Sequence, residues 1–86
     1  MNFTVYWRPA AESQLRRIWR NAANVEAVAD AADAVNRILR DAAHEQGESR
    51  DRPTLRVWFH PPLCLHFEID AAAKIVFVTR VKWVGG

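Results

Sequence analysis

The chain has 86 residues, of which 50% are hydrophobic and 26% are charged. This composition is typical of a folded globular protein and excludes the disordered and fibrous classes. The length predicts one domain, 1–86, with a core small enough that a partner protein or a homodimer contact would supply part of its stability. A formal net charge of +2 leaves RNA, DNA and an acidic protein partner all open.

Cysteine content and hydropathy indicate the compartment. The single cysteine, Cys64, excludes an internal disulfide and a multi-cysteine zinc site, and it favours a reducing environment. No basic stretch precedes a long apolar run at the amino terminus, and no window approaches the ~18 apolar residues of a membrane span. We therefore expect a cytoplasmic protein without membrane association, cofactor or metal.

The first half of the chain predicts a strand followed by a helix. Residues Phe3–Trp7 alternate between the two faces of a strand, with Phe3, Val5 and Trp7 on one side. Pro9 suits the first turn of a helix because its missing N–H would be unpaired there. Apolar residues then recur at helical spacing, namely Ala11, Leu15, Ile18, Trp19 and Ala22.

A second helix is the clearest element in the sequence. Asn24 is a good N-cap, and Gly47 is placed to stop the helix as its C′ residue. The apolar stripe between them is Val28, Ala31, Ala32, Val35, Ile38, Leu39 and Ala42. The short link at 21–24 makes the two helices an antiparallel hairpin, whose apolar stripes we expect to face each other and a sheet.

The second half of the chain predicts a surface loop and three strands. The run 47–53 has no apolar residue and indicates the loop. Leu55–His60 alternates like a strand and ends at two consecutive prolines, which cannot continue a ladder. Leu63–Asp70 and the apolar stretch 75–84 supply two more strands, and Gly85–Gly86 a flexible end. The predicted fold is α+β, with a strand, an antiparallel helical hairpin and a three-stranded antiparallel meander.

Basic and histidine side chains on the meander carry the candidate chemistry. Arg56 lies in its first strand, and Arg80 and Lys82 lie in its last strand. If one face of the sheet holds all three, these cations could bind a phosphate and stabilise charge that develops on it. A solvated sheet face is the alternative. His60 and His66 could supply acid or base near neutral pH, but the strand register that decides their faces cannot be read from the sequence.

Other residues have ordinary structural explanations beside functional ones. Arg16 and Arg17 could touch RNA, although a charged outer helix face, turned away from the sheet, is the usual reason for such a cluster. Cys64 is expected to be a small core or sheet thiol, because no nucleophile motif accompanies it. Trp7, Trp58 and Trp83 are expected to lie mostly in the core, although one of them could belong to an apolar surface for a partner protein.

Two stretches resemble a known protein family. Residues 5–15 combine a strand with Pro-Ala at the start of a helix, and the meander joins a strand with an arginine, 55–59, to a strand with an acidic residue near its end, 65–69. Together with the order of elements over nearly the whole chain, these patterns resemble the RelE/ParE superfamily of type II toxins.

The resemblance implies a function and carries over one site residue. Nuclease members of the family cut messenger RNA on the ribosome without a metal, whereas ParE members inhibit DNA gyrase, and each toxin has a cognate antitoxin. A non-catalytic protein-binding module on the same fold is the alternative. Arg56 matches the family's meander arginine. Together with the basic and histidine side chains considered above, this makes Arg56, Arg80 and His60 the expected catalytic residues and Lys82, Arg16 and Arg17 the expected RNA-binding residues.

Overall fold

The computed structural model describes residues 2–50 and 52–84, with the backbone alone at 50, 52 and 53. Its elements are β1 (Thr4–Trp7), α1 (Pro9–Asn21), α2 (Val25–Ala42), a 3-10 turn (Ala43–Glu45), β2 (Glu48–Arg50), β3 (Arg52–His60), β4 (Leu63–Asp70) and β5 (Ile75–Trp83). The predicted flexible end at Gly85–Gly86 lies outside the described residues. None of the helices in the described part is long and apolar enough to cross a membrane.

The strands form one five-stranded sheet in the order β1-β5-β4-β3-β2. The predicted antiparallel meander is β3, β4 and β5, but β1 pairs with β5 in parallel, so the sheet is mixed. The α+β class is confirmed. The loop predicted at 47–53 is wrong, because the backbone of β2 pairs with β3, with Glu48 opposite Val57. An edge strand of this kind is held by main-chain hydrogen bonds and needs no apolar side chain of its own.

The ends of the second helix show one confirmed prediction and one correction. The Asn24 side chain accepts a hydrogen bond from the Ala27 amide at 3.1 Å, as an N-cap does. The helix ends at Ala42, five residues before Gly47, and the Gln46 side chain donates to the Ala42 carbonyl at 3.3 Å. Gly47, at φ 68°, instead leads into β2, where an added Cβ would collide with the Val57 carbonyl oxygen.

Both helices cover one face of the sheet and form the core with it. The buried core residues are Phe3, Ala11, Ala31, Val35, Leu39, Ala43, Trp58, Leu63, Leu65, Phe67, Ile69, Val76, Val78 and Val81. Leu15 and Ile18 pack against this cluster as predicted. Trp19, which belongs to the same stripe, is 49% exposed, because it lies at the outer rim of the groove between the two helices.

The other three tryptophans occupy different environments. Trp58 belongs to the core. Trp7 packs at the edge of the core, and its Nε1 donates to the Asn36 Oδ1 at 2.7 Å, which ties β1 to α2. Trp83 is 48% exposed beside the turn that joins β3 to β4. The expectation that most are core residues therefore holds for two of them.

Candidate functional site

The sheet register divides the predicted catalytic residues between two faces. Side chains of directly opposed residues in an antiparallel pair lie on the same face. Arg56 is opposite Phe67, and His60 is opposite Leu63. Phe67 and Leu63 are fully buried under the helices. Arg56 and His60 therefore lie on the covered face of the sheet.

Arg56 is bound to the backbone that leads into β2. Its Nε donates to the Gln46 carbonyl at 2.6 Å, and its Nη2 donates to the Gly47 carbonyl at 2.9 Å. The His60 ring lies 5.1 Å from that of Trp58, between centroids. The two hydrogen bonds of Arg56 hold the segment between the helices and β2 against β3.

A β-bulge reverses which residues of β5 face the helices in the second half of the strand. Val78 is opposite Phe67, whereas Arg80 is opposite His66, so Thr79 is an extra residue in β5. The Thr79 hydroxyl donates to the His66 carbonyl at 3.2 Å. Regular alternation would put Arg80 on the buried face with Val78, and the extra residue puts it on the face without helices. Arg56 and Arg80 therefore lie on opposite faces, and the condition that one face holds Arg56, Arg80 and Lys82 is not met.

The helix-free face gathers a histidine, two cations and an exposed aromatic side chain. Arg80 is opposite the half-buried His66, and Lys82 is opposite the half-buried Cys64. Phe59 lies on the other side of Cys64, on β3, and is 60% exposed. Cations of this kind bind phosphate oxygens, and exposed aromatic rings stack on nucleotide bases.

A second cluster on this face was missed in the sequence. The Arg8 guanidinium carbon lies 4.7 Å from the centroid of the Phe77 ring, a cation–π contact. The Tyr6 ring meets the same ring edge to face at 5.9 Å. Tyr6 and Arg8 are two residues apart at the end of β1, and this spacing is the signal that could have placed them together.

The two neighbouring arginines of α1 have different surroundings. Arg17 lines a cleft of about 310 Å³ with Arg80 and Lys82. Arg16 instead forms an ion pair with Glu12 at 2.8 Å and borders the groove between the helices. The expectation that both arginines point away from the sheet is wrong for Arg17, because α1 runs beside the uncovered end of β5.

Across residues 2–50 and 52–84, no three side chains of histidine, cysteine, aspartate or glutamate come together in a way that could hold a metal ion. The candidate site is a set of cations on the side of the sheet that carries His66, and it could bind an anionic polymer and transfer a proton. Arg80 and Lys82 belong to both the helix-free face and the cleft beside α1.

Comparison with known proteins finds similarity of structure alone. No protein-family model matches the chain, and no curated protein matches its sequence. A chain of the toxin–antitoxin complex RelBE2 from Mycobacterium tuberculosis has a TM-score of 0.75 at 15% identity, covering 96% of this chain and 92% of that chain. A chain of the chromosomal ParDE toxin–antitoxin system from P. aeruginosa has a TM-score of 0.69 at 20% identity, covering 96% and 97%.

The conserved hypothetical protein HP0892 from Helicobacter pylori is also similar, with a TM-score of 0.60 at 11% identity, covering 94% of this chain and 93% of that one. All three structural similarities extend over almost the full length of both chains compared. This chain has two helices on one face of a mixed five-stranded sheet, and that architecture matches the fold of these structures. The chain therefore has the RelE/ParE fold that its sequence predicts.

Proposed function

We propose that this protein is the toxin of a type II toxin–antitoxin pair and that it cuts messenger RNA on the ribosome. The fold carries the proposal, because it is shared over nearly the whole chain with proteins of the RelBE2 and ParDE systems. A cognate antitoxin protein would neutralise it. The arrangement of cations on the helix-free face supports RNA as the target.

Arg80 is the cation that cleavage without a metal requires. When the 2′-hydroxyl of a ribose attacks the adjacent phosphate, a new P–O bond forms and the bond to the 5′ oxygen of the next nucleotide breaks. Negative charge then builds on the phosphoryl oxygens, and a fixed guanidinium stabilises it. Arg80 is exposed on the helix-free face, with its fork of donors available to such oxygens.

His66 is the histidine best placed to act with Arg80. It stands directly opposite Arg80 in the sheet, and an imidazole can take the proton of the 2′-hydroxyl and return one to the leaving 5′ oxygen. His60 lies on the covered face, as does Arg56, whose donors are bound to backbone carbonyls. We therefore assign catalysis to Arg80 and His66 in place of Arg56 and His60.

The test is inducible expression in a bacterial host, with growth measured and transcript 5′ ends mapped. Arg80→Ala should lower the cleavage rate by ~10²–10³, as the loss of one charge-stabilising donor does. Arg37→Ala, an exposed arginine on α2, is the matched control and should change nothing. Co-expression of the protein encoded in the adjacent reading frame should restore growth.

Other outcomes would contradict the proposal in distinct ways. Growth arrest with intact transcripts and blocked DNA replication would indicate inhibition of DNA gyrase. Harmless expression would indicate a non-catalytic protein-binding module, the second candidate, which the separation of Arg56 from Arg80 favours.

A further inference from the structure

The second half of β5 has an edge that β1 does not cover. β1 is paired with β5 only as far as Val78, where the Arg8 amide donates to the Val78 carbonyl at 2.9 Å. Beyond that point α1 lies along the edge and leaves the cleft of about 310 Å³ described above. The cleft is lined by Gln14, Arg17, Ile18, Arg80, Val81 and Lys82.

The edge of β5 is capped where a new strand would have to bind. The Gln14 Oε1 accepts a hydrogen bond from the Val81 amide at 2.9 Å. An extended peptide that added to this edge by main-chain hydrogen bonds would need that amide, and the Gln14 contact already uses it. The cleft therefore suits a ligand that is recognised by side chains.

The charge of the cleft is positive and is not neutralised by the described residues. No carboxylate lines it, and Arg17, Arg80 and Lys82 form no ion pair within residues 2–50 and 52–84. At about 30 Å³ per water, the cleft holds on the order of ten waters, which leaves room for a phosphate group. Three cations converge on a space that an anionic backbone could fill.

An exposed aromatic ring lies on the helix-free face, two strands away from the cleft. Phe59 and Lys82 flank Cys64 on the helix-free face, so they are two strand spacings apart, roughly 9–10 Å. A cation for the phosphate and a ring for the base are the usual components of a binding site for single-stranded nucleic acid. An acidic peptide has no nucleobase to stack on the ring.

We propose that the cleft between α1 and β5 binds the phosphodiester backbone of single-stranded RNA, with Arg17 and Lys82 as phosphate contacts and Phe59 as a stacking platform. The inference rests on the proposed function for the identity of the polymer. It gives Arg17, which lies on α1 outside the pair that performs the chemistry, a defined place in the RNA-binding cleft. The RNA would pass from the cleft over the end of β5 onto the helix-free face.

The test is titration of the purified protein with a fluorescent twelve-residue 2′-O-methyl oligouridylate, which cannot be cut because its 2′ oxygens are blocked. Binding is measured by anisotropy over a series of salt concentrations. Arg17→Gln and Lys82→Gln should each reduce the slope of log K against log salt by about 0.7, the value for one phosphate contact on a single strand. Arg16→Gln is the matched control and should keep the parental slope, because Arg16 is paired with Glu12.

Phe59→Leu tests the platform separately. It should weaken binding about 5- to 150-fold, the range for loss of one base–aromatic stack, and leave the salt slope unchanged. Far-UV circular dichroism of each variant checks that it is folded. An Arg17→Gln slope equal to that of the parent would overturn the inference.

A twelve-residue oligoglutamate separates RNA from an acidic protein partner. If it binds as tightly as the oligouridylate and Arg17→Gln weakens both alike, the cleft is a protein-docking surface and the inference is wrong. If expression proves harmless while Arg17→Gln still lowers the slope for the oligouridylate, the cleft inference stands and only the proposed function fails.

Discussion

Replacing Arg56 by alanine should lower the free energy of unfolding, because this side chain makes two hydrogen bonds to the backbone. It lies on the opposite face of the sheet from Arg80, so its role is structural. The guanidinium binds the Gln46 and Gly47 carbonyls at 2.6 and 2.9 Å, and thereby holds the chain between the helical layer and β2. Its loss leaves both carbonyls without this donor and frees the segment that starts β2.

The size of the effect follows from the kind of bond. A hydrogen bond to a charged group contributes ~1.5–3 kcal/mol, and Arg56 is half-buried with one of its two bonds at an exposed position, so we expect a total of about 2–3 kcal/mol. At roughly 4–8 °C per kcal/mol for a domain of this size, the melting temperature should fall by about 8–24 °C. Arg56→Lys should lie between the parent and Arg56→Ala, since an ammonium lacks the planar fork.

Urea unfolding followed by circular dichroism measures the change, with Arg80→Ala as the control. Arg80 is exposed, so its removal should alter stability by no more than ~0.5 kcal/mol. Toxicity should then be compared at equal amounts of folded protein. The reasoning would be refuted if Arg56→Ala had the urea midpoint of the parent and yet lost all transcript cleavage, since Arg56 would then be a catalytic group.

Three further substitutions test the packing that positions the site. Leu39→Ala should destabilise by ~2–5 kcal/mol because Leu39 is fully buried, and a value near zero by urea unfolding would mean that this stripe is exposed. Gly47→Ala should lower the free energy of unfolding by at least ~1–2 kcal/mol, because alanine is strained at positive φ and its Cβ would collide with β3. A variant as stable as the parent would exclude the positive φ at Gly47. A double-mutant cycle of Trp7→Phe with Asn36→Ala should give a coupling of ~0.5–1.5 kcal/mol, and additivity would show that their hydrogen bond contributes nothing.

The elements with a strong apolar period were predictable from the sequence. Helix α2 has its predicted N-cap at Asn24, and β4 buries the alternate residues from Leu63 to Ile69. Strand β2 was missed because it contributes backbone pairing and no apolar pattern. Gly47 was assigned to the helix end because glycine is common there, but the turn into β2 needs the same positive φ.

The faces of β3 were not predictable because both carry apolar side chains. Leu55, Val57 and Phe59 alternate with a set that contains Trp58, and either set could have been the buried one. The structure buries Trp58 and leaves Phe59 exposed. Because Arg56 alternates in phase with Trp58, it also lies on the covered face. The expected catalytic residues Arg56 and Arg80 are therefore on opposite faces.

The site on β5 depends on an irregularity that the sequence does contain. Val78 and Val81 are both buried, yet they are three residues apart, an odd spacing that a regular strand cannot place on one face. A regular strand that buried Val78 would also bury Arg80 beneath the helices, where an unpaired charge costs several kcal/mol. One extra residue, Thr79, shifts the alternation of β5 by one position. Val81 then lies on the buried face, and Arg80 lies on the helix-free face opposite His66. The same core packing that requires the bulge therefore also builds the candidate site, and an odd spacing of apolar residues next to basic ones is the signal by which such a site can be found.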